Sequence, residues 1–110
     1  MDLRINIAGS SFRDGAKEAI SSLKHGQTLR LEREPKNAYD KNAVAIYLDG
    51  YVEGRRSKPR SIQLGYVPQK WSGTVSAAMD SNRYHVWASK VGMLGGEVLI
   101  KWVDMSLDPL

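Results

Sequence analysis

Few side chains in this 110-residue sequence stand at spacings that support bond-making chemistry. His25 and His85 lie far apart and neither belongs to a ligand-spaced motif, so each reads as a surface or hairpin residue, not as a metal ligand or base. Serines are numerous, but none occupies a nucleophile-elbow context. Asp40-Lys41-Asn42 begins like a calcium loop, yet the glycine and closing glutamate that such a loop needs do not follow. Gly92-Met93-Leu94-Gly95-Gly96 falls between two strand-like segments, which makes it a hairpin and not a phosphate cradle. Arg55, Arg56, Lys58 and Arg60 are the densest cationic cluster; such a set could contact phosphates or simply be solvated. No catalytic constellation emerges, and a non-catalytic module without metal or cofactor is expected.

The elements that must carry these residues are legible from periodicity. Segment 3–9 alternates Leu3, Ile5 and Ile7 with polar or small residues, the period of a half-buried strand. From Phe12 to Leu23 the period becomes helical: Ala16, Ala19, Ile20 and Leu23 share one face, Phe12 lies a turn earlier, and Ser10 or Ser11 is available as the N-cap. Gly26 is placed to end that helix. Residues 27–33 and 43–48 read as strands around an eight-residue loop rich in turn formers, 35–42. Residues 49–60 form a polar, basic loop, 62–67 a strand ended by Pro68, and 69–79 a second helix with Trp71, Val75, Ala78 and Met79 on its apolar stripe. Two strands close the chain, 84–91 and 97–103, with Trp87 and Trp102 assigned to the core. The order β-α-β-β-β-α-β-β describes a mainly β domain with two helices (α+β), a small six-stranded barrel of the OB or SH3-like kind, as one domain over residues 1–110.

The totals agree. The length suits one domain with one modest core. Cysteine is absent, which removes disulfides and thiolate metal sites, and no apolar run approaches a membrane span or signal peptide, so a soluble cytoplasmic protein is the default expectation. The net charge of +4 favours polyanionic partners.

Leu31-Glu32-Arg33-Glu34-Pro35-Lys36-Asn37-Ala38-Tyr39-Asp40-Lys41-Asn42-Ala43-Val44 closely resembles the signature of HIRAN domains, roughly L-x-R-E-P-x-N-x-Y-D-x-N-A-[IV]. Gly9 followed by Phe12, Gly26 ahead of the second strand, and Leu64-Gly65-Tyr66-Val67-Pro68 fit the same family pattern, so the resemblance spans Ile5 to Met79. HIRAN domains occur in eukaryotic DNA-repair helicase-like proteins and as short bacterial and phage proteins. The resemblance implies a modified OB-like barrel that captures single-stranded DNA 3′ ends. DNA is thus the implied partner, with a helicase or nuclease as a further candidate partner and no membrane. By the same resemblance Tyr39 would stack a base, Asp40 would accept a hydrogen bond from the 3′-hydroxyl, and Phe12 would be the opposing ring. Arg13, Lys41, Lys70, Arg55 and Arg56 complete the candidate nucleic-acid-binding set.

Three departures bear on those roles. Ser11 stands where end-binding members have an arginine beside the first aromatic, with Arg13 the available substitute. Gln69 follows Pro68 where a lysine is expected, Lys70 being adjacent, and Met93 and Leu94 occupy the last hairpin in place of an aromatic. They favour an alternative, a protein-interaction adaptor that keeps the barrel and has lost the pocket. Tyr39-Asp40 also has two open readings, ligand contact and loop shaping; Asn37 and Asn42 read as loop shapers. Phe12 is open too, as a ligand ring or as a hydrophobic staple of the first helix.

Overall fold

The structure, a computed structural model, describes residues 2–54 and 57–105. Six strands and two helices follow the expected order: β1 (Asp2–Asn6), α1 (Ala16–Ser21), β2 (Thr28–Arg33), β3 (Val44–Tyr51), β4 (Arg60–Tyr66), α2 (Gln69–Asp80), β5 (Tyr84–Lys90) and β6 (Glu97–Asp104). All neighbouring strands are antiparallel, in the spatial order β1-β6-β5-β2-β3-β4.

The sheet curls far enough for the chain beyond one edge strand to touch the other edge strand at a single bridge. Just past β1, Ala8 exchanges both backbone hydrogen bonds with Tyr66 at the end of β4, each 2.8 Å. Gly65 permits that approach: its φ is +152°, and a Cβ there would stand 2.3 Å from the Ala8 carbonyl oxygen. No side chain larger than hydrogen fits, so the Gly-Tyr pair is what lets strand β4 touch the chain leaving β1.

Alternation fills a single core. Leu29 and Leu31 of β2, Val44, Ile46 and Leu48 of β3, Ile62 and Leu64 of β4, Ala88 of β5, and Val98, Ile100 and Trp102 of β6 point inward. Ala16, Ala19 and Ile20 of α1 are buried as their shared helical face requires, with Leu23 just beyond. Val75 and Ala78 of α2 are buried, while Trp71 and Met79 are half-buried against the same core.

Several expectations are corrected. The first helix does not run unbroken from Phe12. Residues Ser10–Phe12 make a short 3-10 turn, and Gly15, with φ +78°, caps α1 in place of Ser10 or Ser11. The left-handed glycine turns the chain between the two pieces, so Phe12 leaves the apolar stripe and is 91% exposed; it is no staple. Strand β3 continues to Tyr51 through an irregularity after Leu48, where Gly50 takes φ +73°, so the polar loop is shorter than expected. Trp87 is not core: it points to the outer face, half-buried, and stacks on His85 with ring centres 4.8 Å apart.

Candidate functional site

The loop between β2 and β3 is held by its own side chains. Asn37 Oδ1 accepts from the backbone N–H groups of Tyr39 (2.9 Å) and Asp40 (3.1 Å), and Asp40 Oδ1 accepts from the N–H of Asn42 (2.8 Å). These Asx contacts spare the loop the cost of unpaired amides. Arg33 clamps it from below, donating to the carbonyls of Lys41 and Ala43 while pairing with Asp80 of α2. Asp40 Oδ2 accepts from Ser72 Oγ at 2.7 Å, which ties the loop to the first turns of α2.

Above this loop lies a pocket of about 390 Å³, lined by Gly9 and Arg13, by Asn37, Tyr39 and Asp40, and by Tyr66 and Gln69 among others. It opens beside the Ala8–Tyr66 seam, so three separate chain segments contribute. Arg13 enters it with a defined orientation. Its Nη2 donates to the Tyr66 hydroxyl at 2.9 Å, and that hydroxyl donates to Glu34 Oε1 at 2.8 Å. Glu34 Oε1 also accepts from Asn37 Nδ2 at 3.0 Å. One continuous relay therefore joins the guanidinium, a phenol, a carboxylate and the loop that carries Tyr39 and Asp40.

The two aromatic candidates are held in solvent: Tyr39 is 94% exposed and Phe12 nearly as much. Tyr39 lines the pocket; Phe12 does not, although its neighbour Arg13 does. Lys41 is exposed and meets the site only through its carbonyl. Lys70 is exposed next to pocket-lining Gln69, its Nζ 5.3 Å from the centre of the Trp71 ring. Arg55 and Arg56 lie outside the described residues. Of their expected companions, Arg60 sits at the start of β4, 3.4 Å from Glu53, away from this pocket's lining.

Tyr66, Glu34 and Gln69 were not among the expected site residues. Tyr66 and Glu34 were visible as parts of two family segments, 64–68 and 31–44; nothing in their spacing announces that they meet across 32 positions. Beyond the pocket, Tyr47 on β3 faces Arg30 on β2, whose guanidinium carbon is 4.5 Å from its ring centre. Burial, and then the Glu32 and Glu34 carboxylates, raise the Tyr47 phenol above its usual value. Among the described residues no group of three or more His, Cys, Asp or Glu side chains could hold a metal ion, and no helix is long and apolar enough to cross a membrane.

A curled six-stranded antiparallel sheet, two helices, and a pocket edged by Tyr39 and Tyr66 beside the Ala8–Tyr66 bridge define a small β-rich module. The family model of the HIRAN domain matches residues 1–95, and the chain belongs to that family. Strand β6 lies beyond the matched span yet pairs with both β1 and β5, within the same sheet. The fold is similar to the crystal structure of the HIRAN domain of human HLTF, with a TM-score of 0.65, 18% identity, and coverage of 96% of this chain and 78% of that one. It is also similar to a crystal structure of a protein from Lactobacillus plantarum, with a TM-score of 0.62, 16% identity, and coverage of 93% and 95%. No curated protein matches the sequence.

Proposed function

We propose that this domain is a non-catalytic module that captures the 3′ end of single-stranded DNA in the pocket between the Tyr39 loop and the Ala8–Tyr66 seam. The observation that carries the reading is the combination of an almost fully exposed Tyr39 ring with Asp40 and Arg13 lining one pocket. A loop whose amides are already satisfied has no folding reason to hold a tyrosine ring in water, and any base offers a π-face to it. Such stacking contributes about 1–3 kcal/mol per base without sequence preference.

The charges sort by position. Asp40 uses one lone pair of each oxygen on Asn42 and Ser72. A carboxylate has about four acceptor sites, so a terminal hydroxyl can still be received. A 3′-phosphate would set a dianion against that carboxylate. Arg13, fixed through Tyr66, is available to the phosphodiester one step back from the end. Phe12, exposed one residue before the pocket-lining Arg13, is the candidate for a second ring, and a helicase or nuclease that handles such ends is the partner class this activity suits.

Fluorescence anisotropy with oligonucleotides bearing a 3′-hydroxyl, a 3′-phosphate or no free end tests the reading. The hydroxyl form binds tightest, and Asp40→Asn lowers that preference more than overall affinity. Equal affinity for all three would sink end capture. The hairpin tip supports one other reading: Met93 and Leu94 are exposed apolar side chains, as a protein-interaction adaptor would present. Binding to none of the oligonucleotides would favour it.

A further inference from the structure

We infer that the outer face of the sheet is a stacking track, in which Tyr66, Tyr47, Arg30 and Trp87 receive the bases that precede the captured end. The inference rests on the end-capture reading and extends its footprint from one pocket to four strands.

Register puts the four side chains in line. Tyr66 on β4 opposes Ala45 on β3; Tyr47, two residues further along β3, shares that face and opposes Arg30 on β2. On the next strand the pairing ends at Leu29 opposite Ala88, both buried; the residues that follow each of them toward the open end, Arg30 and Trp87, take the opposite, outward face and line one groove. The strand-to-strand path from Tyr66 to Trp87 crosses three gaps of about 4.8 Å, roughly 14 Å in all. It begins at Tyr66, a wall of the end pocket, and finishes in a groove of about 610 Å³ lined by Thr28, Arg30, Asp49, His85 and Trp87 among others.

The surfaces are already those that bases require. The Arg30 guanidinium lies over the Tyr47 ring, and the Trp87 indole is stacked on His85 at an interplanar angle of 30°. Trp87 takes no part in the hydrophobic core, so packing does not account for the largest side chain at that position. Arg30 is held by Asp49 through two hydrogen bonds of 2.9 and 3.2 Å and stands 3.5 Å from Glu32. With that cation matched by carboxylates, the Tyr47–Arg30 part of the face attracts π-surfaces more than phosphates; Lys101, opposite Trp87 on β6, adds a cation at the far end. Affinity gained along the track therefore depends less steeply on salt than affinity gained by neutralising several phosphates.

Anisotropy with 3′-hydroxyl oligothymidylates of about four and ten nucleotides tests this, a span matched to the roughly 4–16 nucleotides of comparable β-barrel sites. The longer strand binds at least about tenfold tighter, the equivalent of one stacked base. Trp87→Ala and Arg30→Ala remove that gain while the short strand keeps its affinity and its 3′-hydroxyl preference; Trp87→Phe restores part of it. Equal affinity of the two lengths, or a loss that Trp87→Ala imposes on both alike, would overturn the track. If the longer strand binds through Trp87 without regard to its 3′ terminus, end capture fails and the track stands. If neither strand binds, both fail.

Discussion

The hydroxyl of Tyr66 accepts a hydrogen bond at 2.9 Å from Nη2 of Arg13, a side chain 53 positions earlier, and donates its own to Glu34. This contact answers the question raised by Ser11. The cation of the pocket comes from the residue after the aromatic, not the one before it, because the 3-10 turn at Ser10–Phe12 sends Phe12 outward and Arg13 in. Tyr66→Phe deletes the relay: Arg13 keeps its contact with the ring face, 5.2 Å from its centre, but loses its hydrogen bond to the hydroxyl, and Glu34 Oε1 loses a donor. A loss of about 1–2 kcal/mol is expected in urea unfolding, the range for a partly exposed bond to a charged group. Affinity for a 3′-hydroxyl strand falls as well, since the guanidinium is no longer oriented.

Gly65→Ala should be among the most damaging single-methyl changes in the domain. Its Cβ would meet the Ala8 oxygen at 2.3 Å and Ile7 Cγ2 at 2.7 Å, so the seam between β1 and β4 must open. Roughly 2 kcal/mol or more of stability is lost. Gly50→Ala is the comparison: a left-handed φ of +73° in open space, with an expected loss of about 1 kcal/mol from backbone strain alone. Similar urea midpoints for the two variants would refute a steric role for Gly65.

The last hairpin is held by a buried cation. Lys90 is 1% exposed, and its ammonium donates to the carbonyls of Val91 (2.6 Å), Gly92 (3.2 Å) and Leu94 (3.4 Å), while the Gly92 N–H donates to His25 Nδ1. Lys90→Met keeps the aliphatic stem and removes the donors. Stability should drop by about 1–3 kcal/mol, and amide exchange should accelerate within residues 91–96 before it does in β5 or β6.

Acid should weaken the domain partly through Asp49. The hydrogen bond from Arg30, followed by that from Ser61, holds its carboxyl below the ordinary value of 3.8. A depressed folded-state value means that the unfolded chain binds the proton more readily. This stability is therefore present above 3.8 and lost as pH falls through the lower folded value. Asp49→Asn should flatten the fall in urea midpoint between roughly pH 5 and pH 2. Because the pair is exposed, the effect is modest and shrinks with added salt.

Element order and the inward faces of β2 and β3 were readable from sequence because they depend on short-range periodicity, and the family motif because its fixed residues are contiguous. Leu29 and Leu31 or Val44, Ile46 and Leu48 can bury themselves only by alternating, and the Asx contacts of Asn37 lie within three residues of it. Tyr39 and Asp40 were singled out by the resemblance to the HIRAN motif. The break at Gly15 was not: a glycine inside a helical pattern costs only about 1 kcal/mol, so periodicity alone could not set the helix start at Ala16 and turn Phe12 outward. Trp87 misled similarly, since a period of two names two faces without naming the inner one.

What tertiary structure alone decided is how distant segments meet. The backbone exchange of Ala8 with Tyr66, the partnership of Arg13, Tyr66 and Glu34, and the alignment of Tyr47, Arg30 and Trp87 all depend on strand order and register. Those are set by how a curled sheet packs around one core, a global balance that local spacing does not encode. The sequence by itself determined a small HIRAN-type β domain with a loop carrying Tyr39 and Asp40; the curl of its sheet, which brings Ala8 to Tyr66, made that loop one wall of a pocket.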